Sequence, residues 1–142
     1  MLRSGIVLAG ANRLGQEEGR GLEDGWVTAQ ELALLDLRGT ELVVASACES
    51  GLGRVEAGEG VYGLRRAFLH AGAQSLLISL SKVPDAETQQ LIASFFGGLK
   101  EGQGKLESLR KAQLEMIKQR QEHHGAAHPF FWGSFILVGN PN

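Results

Sequence analysis

The sequence predicts a single α/β domain built on a buried sheet, and three observations carry that expectation. Four short runs are almost wholly apolar, at 4–11, in the first half of 40–53, at 75–80 and at 134–139. A strand covered on both faces reads this way because neither set of alternating side chains meets water. Between the runs lie segments whose apolar residues recur every three or four positions, as in helices with one buried stripe. Glycine makes up 20 of the 142 residues, about twice its average share of ~7%, which supplies the tight turns that a layered chain needs. The order strand, helix, strand, helix, strand, two helices, strand is that of an α/β layered domain.

The first run, 4–11, ends at Asn12, and residues 12–25, rich in glycine and glutamate, read as an exposed loop with no site. A helix starts at Thr28. Thr28 and Glu31 have the spacing of a capping box, in which the hydroxyl accepts from the Glu31 amide and the carboxylate from the Thr28 amide. Val27 and Leu32 flank it as a hydrophobic staple, Leu32, Leu35 and Leu37 point inward, and Gly39 closes the helix in a left-handed conformation. The apolar half of 40–53 is the second strand. It delivers Cys48, the only cysteine, to a polar, glycine-rich turn, Glu49-Ser50-Gly51.

Gly51, Gly53 and Gly58 then form a loop before a helix at about 60–71, with Val61, Leu64 and Phe68 on one face, Arg65 and Arg66 pointing away and Gly72 as its cap. The third strand, 75–80, ends in a second turn. There Asp85 caps a helix whose stripe is Leu91, Ile92, Phe95, Phe96 and Leu99. Gly102 and Gly104 separate it from a longer helix, 105–122, with Leu106, Leu109, Ala112 and Met116 inward and a solvated tail from Lys118 to Glu122. His123 and His124 stand at its C-terminus, where cations suit the helix dipole. The fourth strand, 134–139, closes the domain, which spans 1–142.

Composition narrows the classes of function. A hydrophobic content of 43% in 142 residues is enough for one substantial core. The net charge of −2, without blocks of one sign, argues against a nucleic-acid or membrane partner. A lone cysteine makes no internal disulfide, which fits a reducing, cytoplasmic setting. No apolar stretch approaches the ~20 residues needed to span a bilayer.

Three chemistries can be tested against the Cys48 turn. The dinucleotide pattern G-x-G-x-x-G begins at Gly51-Leu52-Gly53 but meets Glu56 at its third position, and there is no phosphate-binding G-x-x-x-x-G-K-[ST] loop. No cofactor is expected. His123, His124 and His128 are the nearest approach to a metal-ligand set, and surface histidines are the commoner reading of such spacing. Nucleophilic catalysis is the sharper alternative, although a lone cysteine is more commonly a small buried apolar residue. A thiolate attacks a carbonyl, and backbone amides in the turn, at Cys48 and Gly51, stabilise the oxyanion.

A resemblance separates these readings. Ala45-Ser46-Ala47-Cys48-Glu49-Ser50-Gly51-Leu52-Gly53 is followed by Gly58-Glu59-Gly60-Val61-Tyr62-Gly63-Leu64-Arg65-Arg66-Ala67-Phe68 and by Ala71-Gly72-Ala73. His128-Pro129-Phe130-Phe131-Trp132 then precedes Phe135-Ile136-Leu137-Val138-Gly139. Together these motifs resemble the CHAT family, caspase-like cysteine peptidase domains associated with tetratricopeptide repeats and related to separases. The resemblance implies a caspase-like, mostly parallel sheet with helices on both faces, a bacterial source, protein or peptide substrates, and Cys48 as nucleophile.

Two departures from the family pattern matter. The family's dyad histidine ends a strand upstream of the cysteine strand, and this chain has no histidine before His70. The chain thus resembles the C-terminal part of such a domain, with the N-terminal strands missing, inactive alone and dependent on an upstream half-domain or a repeat segment. The uncovered sheet edge would invite self-association. The family turn L-W-K-V-D-D reads Leu80-Ser81-Lys82-Val83-Pro84-Asp85 here. By resemblance to separases, Asp85 holds a basic substrate side chain, with Glu49 a second candidate for that task. The alternatives are a helix cap for Asp85 and a surface charge for Glu49. His128 is expected to pack at the entry to the last strand. A non-catalytic interaction module is the alternative to a peptidase.

Overall fold

A computed structural model describes residues 5–8, 25–46, 59–81 and 83–142. Its elements are β1 (Gly5–Val7), β2 (Trp26–Thr28), α1 (Ala29–Leu32), β3 (Val43–Ala45) and α2 (Glu59–His70). They continue with β4 (Ser75–Ser79), α3 (Asp85–Lys100), α4 (Lys105–His124), α5 (Pro129–Trp132) and β5 (Phe135–Gly139). The described strands form a sheet in the order β3-β4-β5 and a separate antiparallel ribbon, β1-β2.

β4 is the centre of the packing, and all five of its residues are buried. Leu77 points to one core cluster with Val83, Leu91, Phe95, Leu109, Ala112, Met116 and Phe135, carried mainly by α3 and α4. Leu76 and Ile78 point to a second cluster with Ala29, Leu32, Leu64, Ala67 and Phe68, from α1 and α2. Helices therefore cover both faces of the sheet at β4. The absence of polar alternation in Ser75-Leu76-Leu77-Ile78-Ser79 follows directly.

The expected mostly parallel sheet is mixed in the described strands. β3 and β4 are parallel, whereas β4 and β5 are antiparallel. The connections account for the difference. Among the described residues α2 lies between β3 and β4 and returns the chain to the amino end of the sheet, as a parallel pair requires. Two long helices, α3 and α4, join β4 to β5 and leave the chain where β4 finished, so β5 runs back.

Local expectations fared unevenly. The capping box is formed: Glu31 N–H donates to Thr28 Oγ1 at 3.2 Å and Thr28 N–H donates to Glu31 Oε2 at 2.8 Å. These bonds hold the Glu31 carboxyl below its ordinary value. The helix stops after one turn, at Leu32: the Leu34 and Leu35 amides donate only three residues back, to Glu31 O at 3.0 Å and Leu32 O at 3.2 Å, and the Leu37 amide donates to Ala71 O at 2.8 Å. Leu35 is consequently half exposed, while Leu37 still packs on the core. Gly39 has a positive φ of 90° but lies in a later turn, not at the helix end. Gly72 does close α2: at φ 107° its N–H reaches Leu69 O, and Ala73 N–H reaches Phe68 O, both at 3.2 Å.

Further corrections concern the helix faces. Phe96 and Leu106 are exposed, and the buried stripes run through Leu91, Phe95 and Gly98 on α3 and through Leu109, Ala112 and Met116 on α4. Arg120, expected in a solvated tail, continues the α4 stripe four residues beyond Met116 and keeps only 17% of its side chain exposed. The expected strand at 4–11 is described only as β1, paired with the unforeseen β2, and residues 12–24 lie outside the described part.

Candidate active site

Parallel pairing of β3 with β4, in the register Val43↔Leu76, Val44↔Leu77 and Ala45↔Ile78, puts the carboxyl ends of both strands side by side. β5 begins at the same end, because Phe135 pairs with Ser79. Ligands of open α/β sheets bind at this edge, where strands give way to loops. Four segments converge on it. They are the chain leaving β3 at Ser46, the turn 80–85 after β4, the start of α3, and α5 with Ser134.

Cys48, Glu49 and Gly51 lie outside the described residues, the nearest described position before them being Ser46. Asp85 is the first residue of α3 and not its cap. Pro84 holds the cap position and offers no side-chain hydrogen bond. The Asp85 carboxylate is exposed and makes no hydrogen bond or ion pair with any described residue. An acidic group at this end still complements the partial positive charge of the helix terminus.

The walls of the edge are well fixed. Leu80 N–H donates to Ser134 O at 2.7 Å, Ser81 and Ser134 hydroxyls are 2.8 Å apart, and Ser134 Oγ donates to Phe130 O at 2.9 Å. His128 caps α5 by accepting the Phe130 amide on Nδ1 at 3.2 Å, with Pro129 at the first helical position. This is the physical content of its expected packing role. Trp132 Nε1 donates to Ala127 O at 3.1 Å, and its ring packs on the α3/α4 core. Arg120 lies over the Phe131 ring at 3.4 Å and donates from Nη1 to Glu87 Oε1 at 2.8 Å.

The remaining histidines are dispersed. His70 ends α2, at the opposite end of the sheet from Ser46. His123 and His124 occupy the last turn of α4 and border a shallow cleft with Ala86, Glu87, Gln90, Gln119 and Arg120. Among the described residues no three His, Cys, Asp or Glu side chains gather to hold a metal ion. The sequence reading missed Ser81–Ser134 and the Arg120–Glu87 pair. Only Arg120 left a trace, through its helical spacing from Met116.

A protein-family model, the CHAT domain, matches residues 1–140. The chain belongs to the CHAT family. Tetratricopeptide repeat protein 28 of Mus musculus is 39% identical over 108 residues, covering 75% of this chain and 4% of that protein. Its Homo sapiens namesake is 34% identical over 119 residues, covering 84% of this chain and 5% of that protein. This CHAT chain thus spans about a twentieth of the length of these relatives, and both are mammalian, which lends no support to a bacterial source. No described helix is long and apolar enough to cross a membrane.

Proposed function

We propose that this CHAT chain is the nucleophile-bearing part of a caspase-like cysteine endopeptidase. The carrying observation is the side-by-side arrangement of the β3 and β4 carboxyl ends, with Ser46 leading to Cys48 and the chain after β4 leading to the exposed Asp85. In this reading the Cys48 thiolate attacks the scissile carbonyl carbon. The C–N bond then breaks, the amine leaves with a proton, and water hydrolyses the resulting thioester. Backbone amides at Cys48 and Gly51 stabilise the oxyanion, and Asp85, with Glu49 as the second candidate, receives a basic substrate side chain.

Proton transfer is the step this chain does not supply. A free thiol has a pKa of about 8.5, so only a few per cent is thiolate at neutral pH without a cationic neighbour. The family's dyad histidine has no matching residue here, since the first histidine is His70. The proton-shuttling imidazole would come from another segment, and the repeat-bearing relatives make a tetratricopeptide segment a natural neighbour of the chain. The same missing match favours a second reading, a non-catalytic interaction module.

A chimera separates the two. Preceding residues 1–142 with the His-Gly strand of a related CHAT domain should give peptide cleavage that Cys48→Ser abolishes, with Asp85→Asn removing cleavage after lysine and arginine. No cleavage by the folded chimera would support the interaction module.

A further inference from the structure

Two lines of contact run from α5 to either side of Asp85. Ser134 is buried, at 6% exposure, and its single hydroxyl proton goes to Phe130 O. The 2.8 Å contact with Ser81 is therefore a donation from Ser81 Oγ to Ser134 Oγ. Together with the bond from Leu80 N–H to Ser134 O, it ties the chain down four residues before Asp85. The second line runs from the Phe131 ring through the stacked Arg120 guanidinium to Glu87, two residues after Asp85. Between the two anchors, Val83 is buried in the α3/α4 core.

We propose that α5 is a bracket that fixes the Asp85 carboxylate at the sheet edge, with Ser134 and Arg120 as the positioning residues through which it acts. The proposal rests on Asp85 being the acceptor of a basic substrate side chain. Its physical motive is the weakness of exposed ion pairs, whose attraction is largely offset by the entropy of holding both partners in one geometry. Anchoring the chain on both sides of Asp85 in advance, through Leu80 and Ser81 before it and the Glu87 side chain after it, removes part of that cost. Neither anchor occupies the carboxylate, which keeps no partner among the described residues. His128 belongs to the same device, because its imidazole caps the short helix that carries both Phe130 and Phe131.

The test compares two peptide aldehydes on the 142-residue chain, one ending in lysinal and the other in its uncharged isostere, norleucinal. Each adds reversibly to Cys48, the sulfur bonding to the aldehyde carbon and the thiol proton passing to its oxygen, so equilibrium affinities can be read by calorimetry. The chain should prefer lysinal by about five-fold, the upper range of an exposed ion pair, and Asp85→Asn should abolish the preference. Ser134→Ala, Arg120→Met and the milder Ser81→Ala should each bring the ratio close to one without weakening norleucinal binding, and Ser134→Thr should restore it. Lysinal preference lost with Asp85→Asn but retained in the folded Ser81→Ala and Arg120→Met variants overturns the bracket alone. No preference in the parent chain overturns the Asp85 reading and the bracket with it.

Discussion

Gly98 offers the sharpest test of the helix packing that backs the sheet. α3 carries two adjacent glycines, Gly97 and Gly98, each of which costs about 1 kcal/mol of helix propensity relative to alanine. A Cβ at Gly97 would meet nothing within 4 Å. At Gly98 it would lie 2.7 Å from Ser108 Oγ, 2.9 Å from Ser108 Cβ and 3.0 Å from Gln103 Oε1. Ser108 is fully buried on α4, so it has no room to yield. Gly97→Ala should stabilise the chain by about 1 kcal/mol. Gly98→Ala makes the same propensity gain but suffers an overpacking cost of about 1–3 kcal/mol, and that cost is the expected gap between the two variants. Urea denaturation, read as a midpoint shift at constant slope, measures it. Adding Ser108→Ala removes the 2.7 Å contact and should recover part of the loss. Equal stability of the two alanine variants, or no recovery, would refute the close approach of α3 and α4.

Other expectations concern the periphery. Thr28→Ala should cost about 1 kcal/mol through loss of the α1 cap, measured by thermal or chemical denaturation. Glu31 adds a pH dependence of known sign. Its folded carboxyl titrates below the ordinary value of 4.5, so its stabilisation is present above that value and lost as pH falls through the lowered one. Thr28→Ala should flatten that acid limb in a pH series of unfolding midpoints, and an unchanged limb would contradict the assignment. Gly139→Ala should cost more than about 2 kcal/mol, because φ there is 99° and the new Cβ would run into the Gln74 carbonyl oxygen; a soluble variant of wild-type melting temperature would refute it.

What could be read from the sequence was what depends on near neighbours. The Thr28–Glu31 box, the Gly72 closure of α2 and the fully buried β4 each rest on residues a few positions apart, and all three are formed. What escaped depends on distant partners. β2 is only three residues long and exists because β1 pairs with it. The chain beyond α1 does not resume a helix where Ala71, 34 residues on, takes the Leu37 amide. Ser81 meets Ser134 across 53 positions, and Arg120 meets Glu87 across 33, separations that no local pattern signals. At the candidate site, the sequence brought Asp85 to the correct strand end but assigned it to the cap position that Pro84 holds. Cys48 is proposed as nucleophile on its motif alone, since it lies outside the described residues.

The most direct measurement of the account is the reaction of Cys48 with a lysyl chloromethyl ketone, followed by intact mass and compared with Cys48→Ser. The 142-residue chain should be labelled slowly, with a rate that rises linearly with reagent, because no histidine of its sequence matches the dyad histidine that would activate the thiol. The chimera carrying the His-Gly strand should be labelled rapidly and saturably at the same residue. Rapid, saturable labelling of the chain alone, or labelling of the folded chimera no faster than that of the chain, would contradict the assignment of Cys48 as a nucleophile awaiting its histidine.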